Sequence, residues 1–285
     1  MTYRELYKYS ENELAEAGNV SPKTDTCELM YHFFGVDRFS MMELAKKNAG
    51  SEQEALFLSA VQKRKNGYPL QYLLQQWSFM GVLLSVGEGV LIPRDDTEVC
   101  VRECMKLMDE KGMKDPIIID LCSGSGAIAI ALGKKYPRAN ITAAELSGEA
   151  FAFLKENIVL NEVQQIIEPI QSDIAVLCRE YDNDYFDVII SNPPYVRSEE
   201  IPALQKEVQY EPKMALDGGI DGLYFYRIIA EKWIPKLKKG GVVSLEIGEE
   251  QGQEVRNLLE QYGLKDVRVV KDIAGLDRTI IGCAV

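Results

Sequence analysis

From Ile117 onward the chain alternates short, unmixed apolar runs with helical stretches, and this alternation narrows the possible folds more than any other feature. PIIIDL, NITAAEL, EPIQSD, FDVIIS and GVVSLEIG read as strands, with SGAIAIALGKKY, GEAFAFLKENIVL and LYFYRIIAEKWIPKLKK as helices between them. A strand wetted on one face alternates polar and apolar residues, so unmixed runs imply burial on both faces. The expected fold is α/β, a doubly wound, mostly parallel sheet. After the helix QGQEVRNLLEQYG, the segments LKDVRVVKD and RTIIGCAV are close enough to form an antiparallel pair at the sheet edge, giving seven strands.

Residues 1–75 follow a different period. YRELYKYSENELAEAG, TDTCELMYHFFG and SEQEALFLSAVQKRKNG carry apolar residues at three- and four-residue spacing, which predicts a small helical bundle. Ser21-Pro22 breaks the first helix from the second, and Thr24 or Asp25 is the candidate N-cap. Residues 76–93 read as a β-hairpin linker, with WSFMGVLLSV and GVLIPR flanking a turn at Gly87-Glu88-Gly89. The helix TEVCVRECMKLMDEKG follows, with Thr97 as its expected N-cap, and residues 94–285 form the sheet domain.

Charge and composition remove several function classes. With 44 acidic and 32 basic residues the net charge is −12, whereas gripping a phosphate backbone takes a basic face. No stable nucleic-acid partner is expected. The N-terminus is polar and no apolar run approaches the ~18–20 residues that span a bilayer, so the expectation is a cytoplasmic protein without a membrane partner. The six cysteines include no CxxC pair and His32 is the only histidine. That argues against a metal site and leaves the sheet domain without a histidine base.

The strand Ile117–Ile119 ends at Asp120, followed by Leu121, Cys122, Ser123, Gly124, Ser125 and Gly126, and then a helix. Ligands of open α/β sheets lie beyond the carboxyl ends of the strands, where glycines let the backbone turn tightly and approach closely. Glu145 ends the second strand, where a carboxylate can accept two ribose hydroxyls, and Asp173 ends the third, beside Ile174. Read through Ala129 as G-x-G-x-x-A, the loop also fits a dinucleotide, or a glycine turn without a ligand. Asp120 suits an ammonium better than a pyrophosphate, and an acidic cleft attracts a sulfonium cation. The expected cofactor is therefore S-adenosylmethionine.

The fourth strand runs into Asn192-Pro193-Pro194-Tyr195. Two prolines fix the backbone and remove two donors, leaving a rigid edge of acceptors. The Asn192 side-chain oxygen and the Pro193 carbonyl can each accept one hydrogen of a planar NH2, with Tyr195 against its flat face. Such an arrangement activates an amide nitrogen through positioning and electrostatics rather than through a strong base. Asn and Pro are also common turn formers, so the tetrapeptide alone is not decisive.

Asn-Pro-Pro-Tyr after strand four resembles the amino-methyltransferases that modify adenine-N6, cytosine-N4 and glutamine-N5. Within that group the chain closely resembles the glutamine methyltransferases of peptide chain release factors, across nearly its whole length. The shared segments are the helical N-terminal region, LIPRDDTE, Asp120 to Gly126, SNPPY, Glu211-Pro212, ALDGG, DGL, LEIGEEQG and DIAGLDR. The resemblance implies a Rossmann-like class I methyltransferase that methylates the glutamine N5 of a Gly-Gly-Gln motif in bacterial release factors. It implies cofactor contacts from Cys122 to Gly126, Glu145, Asp173 or Ile174, and Asn192, with substrate contacts from Asn192 to Tyr195. Three departures stand out: Cys122 replaces a usual glycine, Glu145 stands where Asp is commoner, and Ile174 stands where the family can carry a large aromatic. Alternatives from the same group are a ribosomal-protein glutamine methyltransferase and an adenine-N6 DNA methyltransferase. The acidic charge and the lack of a basic target-binding domain weigh against the latter.

Overall fold

All seven expected strands are present in the computed structural model, which describes all 285 residues. They are β3 (Ile117–Leu121), β4 (Asn140–Glu145), β5 (Ile167–Gln171), β6 (Phe186–Ser191), β7 (Leu237–Glu246), β8 (Leu264–Lys271) and β9 (Asp277–Ala284). Their order is β5-β4-β3-β6-β7-β9-β8, parallel throughout except for β9, which is antiparallel to both β7 and β8. Chain order reverses at β3, which lies between β4 and β6, and this opens a crevice at its carboxyl end.

Helices cover both faces, as the unmixed strands require. Ile118 of β3 packs with α6 (Asp95–Glu110), α7 (Ala127–Lys135) and α8 (Gly148–Leu160); Ile119 faces a second cluster that includes Tyr226, Trp233 and α12 (Gly252–Gln261). The stretch expected as one helix from Leu223 to Lys239 is shorter and irregular. It comprises α11 (Tyr224–Ile228), a π-helical turn and a 3-10 turn over Ile234–Lys236, after which β7 begins. Pro235 has no N–H to continue an α-helix, which accounts for the change of winding.

The hairpin also differs from expectation. Its strands are β1 (Gln76–Phe79) and β2 (Val82–Ser85), and its turn is Met80-Gly81, with φ of 47° and 80°. Two successive positive φ values match the twist of an antiparallel pair, so WSFMGVLLSV is the hairpin rather than one strand of it. Asn157 on α8 grips Ser85 through both its N–H and its carbonyl (2.6 and 2.9 Å).

The chain divides into two units, Met1–Gln76 with Gln205–Tyr210, and Trp77–Leu204 with Glu211–Val285. The first contains α1 (Tyr3–Glu16), α2 (Pro22–Phe34), α3 (Ser40–Leu44), α4 (Ser51–Lys65) and α5 (Leu70–Leu74). Ser21 occupies the N-cap position of α2, with Pro22 in the first turn. Asp25 turns inward instead of capping: it accepts from Arg64 Nε at 2.6 Å and from Asn19 Nδ2 at 2.8 Å. Arg64 also meets Glu207 at 2.7 Å, and Tyr68 stacks edge-on with Tyr210 at 5.2 Å. The segment 205–210 thus belongs to the helical unit although its neighbours on both sides belong to the sheet unit. No helix is long and apolar enough to cross a membrane.

Candidate active site

The loop after β3 is built by its own hydrogen bonds. Ser123 N–H donates to Ala144 O (2.9 Å), Ser123 Oγ to Asp120 O (2.8 Å) and Gly126 N–H to Ser123 O (2.8 Å). Gly126 has φ of 83°, and a Cβ there would lie 2.5 Å from Leu154 Cδ1, so glycine is needed for loop and helix to meet. Gly124 has φ of 56° and its Cβ position is open. Cys122, which stands where a glycine was usual, adopts φ of 59° with a β-carbon, a backbone state that side chains seldom take. Burial raises its thiol pKa, which disfavours the nucleophilic thiolate.

A cleft opens beside this loop. Its lining brings together Cys122, Gly124, Glu145, Asp173, Ile174 and Asn192, together with Pro194. A smaller lobe adjoins it, sharing Cys122, Gly124 and Asn192 and adding Ser123, Ser125 and Thr97. Asp120, Gly126, Pro193 and Tyr195 do not line either lobe. Glu145 accepts from Gly124 N–H at 2.8 Å and from Ser147 N–H at 2.7 Å, and burial raises its pKa. Asp173 caps the short helix α9 (Ile174–Leu177) by accepting from Ala175 N–H at 2.7 Å, which holds Ile174 against the cleft.

Asp120 lies fully buried beneath the loop. Its Oδ2 accepts from Ala129 N–H at 3.1 Å, while Oδ1 is buried without a hydrogen-bond partner. Burial pushes its carboxyl up to about 8. A buried, unpaired acid beneath an open glycine loop fits a cationic ligand and does not fit a diphosphate.

The Asn192 corner is held from three sides. Asn192 Nδ2 donates to Thr97 Oγ1 at 3.0 Å, and Thr97 Oγ1 donates to Glu246 Oε2 at 2.5 Å. The Tyr195 hydroxyl donates to Glu246 Oε1 at 3.1 Å, so the phenol is turned toward the end of β7. Burial raises the Tyr195 pKa and pushes the Glu246 carboxyl up to about 7. Thr97, expected as an N-cap, lies inside the first turn of α6, whose N-cap residue is Arg94.

Behind the corner sits the glycine-rich loop 211–223. A Cβ on Gly218 would lie 2.7 Å from Tyr195 Cα, and one on Gly222 would lie 2.5 Å from Tyr195 O. Val196 N–H donates to Leu216 O (2.9 Å) and Gly218 N–H to Val196 O (2.8 Å), while Gln251 Nε2 reaches Tyr195 O (3.0 Å) and Gly222 O (3.2 Å). Arg94 pairs with the buried Glu211, which also accepts from Ile92 N–H at 3.0 Å. Arg94 is therefore a brace for the LIPR segment. Sequence reading did not single out Thr97, Glu246 or Gln251 as parts of this site, and it met Glu211 only within a segment shared with the family. A carboxylate at the end of an otherwise apolar strand was the available signal for Glu246.

A seven-stranded sheet in this order, with its glycine loop and acidic strand ends, defines a class I methyltransferase. Two family profiles match the chain: "PrmC N-terminal domain" over residues 5–74 and "Methyltransferase small domain" over residues 102–218. The release factor glutamine methyltransferase of Thermodesulfovibrio yellowstonii is 37% identical over 258 residues, covering 89% of this chain and 90% of its own. That of Clostridium botulinum is 34% identical over 281 residues, covering 98% of each. The chain belongs to the release factor glutamine methyltransferase family. Among solved structures, the catalytic domain of hMettl16 in complex with MAT2A 3'UTR hairpin 6 is similar in fold, with a TM-score of 0.57, 15% identity and 81% of each chain covered.

Proposed function

We propose that this chain transfers a methyl group from S-adenosylmethionine to the side-chain amide nitrogen of the glutamine in the Gly-Gly-Gln motif of bacterial peptide chain release factors. The observation that carries this reading is the state of Asn192. It lines both lobes of the cleft, and its Nδ2 is tied to Thr97, which leaves Oδ1 without a protein partner. Family membership supplies the substrate class.

The cofactor supplies an electrophilic methyl group carried on a sulfonium. Glu145 holds the ribose hydroxyls, Ile174 and Asp173 border the base, and the Cys122–Gly126 loop with the acid of Asp120 beneath it receives the cationic end. Asn192 Oδ1 accepts one amide hydrogen of the substrate glutamine, and the second is assigned to the proline edge beside it, where Pro194 lines the cleft. A carboxamide lone pair is delocalised into its carbonyl, so the nitrogen would gain positive charge as the new N–C bond forms and the methyl–sulfur bond breaks to leave a neutral thioether. Acceptors already fixed in place stabilise that charge without reorganising. The surplus proton leaves to water, so no histidine is required.

The helical unit is assigned the selection of the protein substrate, on its separate composition and its own groove, lined by Arg4, Lys8, Lys23 and Arg38 with Glu11 and Asp37. Incubation with labelled S-adenosylmethionine and a release factor, followed by mass spectrometry, is expected to place one methyl on the Gly-Gly-Gln glutamine. Asn192→Ala is expected to lower kcat at least about a hundredfold with a modest loss of cofactor binding. Label in DNA or in a ribosomal protein, with none in the release factor, overturns the assignment.

A further inference from the structure

We propose that Glu246 and Thr97 form a positioning relay that dictates which way the Asn192 side-chain amide faces. The relay rests on the reading of Asn192 as the acceptor for the substrate amide. Leu245 is the register partner of Ser191, so strand pairing alone brings the residues that follow, Glu246 and Asn192, to the same edge of the sheet. Thr97 arrives between them from the first turn of α6.

Proton counting gives the relay its direction. A hydroxyl has one proton, and Thr97 spends it on Glu246 Oε2 at 2.5 Å. Toward Asn192 the Thr97 oxygen can then only accept, which it does from Nδ2 at 3.0 Å. An Asn192 amide turned by half a rotation would set Oδ1 against that oxygen with no proton between them. The carboxylate therefore keeps Nδ2 inward and leaves Oδ1 for the substrate. Its second oxygen receives the Tyr195 hydroxyl at 3.1 Å, so one buried acid fixes both ends of the tetrapeptide.

Protonating Glu246 would convert one of its oxygens into a donor and free the Thr97 proton for Asn192 Oδ1. Glu246 is 1% exposed. The groups facing it are Asp96, Thr97 and Cys100 from α6, Tyr195, Tyr226 and, on β9, Arg278. Burial raises the Glu246 pKa and Arg278 opposes that rise. The amide orientation is thus expected to loosen as the acid gains its proton.

The test follows the Asn192 side-chain NH2 resonances in nitrogen-15-labelled full-length protein, assigned by their loss in Asn192→Asp. They are expected to shift with pH in the unmodified protein, with a midpoint at about 7, and to stay flat in Glu246→Gln. In parallel, Glu246→Gln and Thr97→Val are expected to lower kcat by about tenfold to a hundredfold, with the cofactor KM within about twofold. Thr97→Ser, which restores the hydroxyl, is expected to recover activity. Resonances that ignore pH in the unmodified protein, or titrate equally in Glu246→Gln, overturn the relay, as does a kcat in Thr97→Val equal to that of the unmodified protein. A relay signature in a protein that methylates no release factor leaves the relay standing and rejects the assigned reaction instead.

Discussion

In the helical unit, Arg64 and Asp25 are buried together, their side chains 7% and 8% exposed, and the guanidinium also reaches Glu207 and the Tyr68 carbonyl. In the sheet unit, Asp120, Glu145 and Glu246 are buried at the carboxyl ends of β3, β4 and β7, and their partners are backbone N–H groups and hydroxyls rather than cations. The first arrangement neutralises charge for the sake of the fold. The second leaves acids with raised pKa values around one cleft, a cost that structure alone does not call for and that a cationic ligand and an ordered acceptor do.

The largest effect expected from this contrast concerns Arg64. Arg64→Met strands Asp25 in the interior and is expected to cost about 3–5 kcal/mol in urea unfolding, with the cofactor Kd unchanged. A loss below about 1 kcal/mol would show that the pair does not carry the helical unit.

Asp120→Asn is expected to do the reverse. Cofactor affinity should drop at least about tenfold, while the ligand-free protein gains stability at about pH 8.5. The sign follows from the shift: an unfolded aspartate ionises near 4, whereas the folded Asp120 holds its proton to about 8. Between those values the folded state carries a proton that the unfolded state has lost, so stability falls as pH rises. Equal melting temperatures for both proteins at high pH would refute it.

A smaller effect is the coupling of cofactor binding to that proton. A cation near Asp120 pulls its pKa down, so binding should release close to one proton and tighten by a few-fold per unit as pH rises from about 7 to 8. Calorimetry in two buffers of different ionisation enthalpy measures this directly, and zero release breaks the contrast. Smallest is Lys65→Ala, which cuts a half-exposed pair with Glu13 and is expected to leave the urea midpoint almost unchanged. Glu13, Glu5 and Asp37 have lowered pKa values through hydrogen bonds at the surface, from Lys65, Thr2 and Ser40 respectively. Their contribution is present above the unfolded carboxylate pKa and is lost on acidification, opposite in direction to that of Asp120.

What the sequence disclosed was what depends on local pattern. Strands buried on both faces write themselves as unmixed apolar runs, and a proline pair between Asn192 and Tyr195 is visible without any fold. Residues whose partners lie far along the chain stayed hidden. Thr97 and Asp25 each looked like helix caps, since both residue types favour that place. Yet Thr97 bonds to Glu246 across 149 residues and Asp25 to Arg64 across 39. The hairpin failed for a different reason: glycines at 81, 87 and 89 all offer turns, and only the unexpected positive φ of Met80 shows which is used. Arg94, within LIPRDDTE, and Glu211 both lay in segments shared with the family, but only the fold makes them one brace.

The short excursion of Gln205–Tyr210 into the helical unit has a consequence for how such proteins can be recombined. The polypeptide passes from one unit to the other three times, so no single cut yields two intact halves. A helical unit grafted from a relative must bring its own version of this hexapeptide, including the acid that answers Arg64 and the ring that answers Tyr68. Shuffling at residue 76 alone would separate each from its counterpart, and inheritance of the two units as independent cassettes is blocked by six residues.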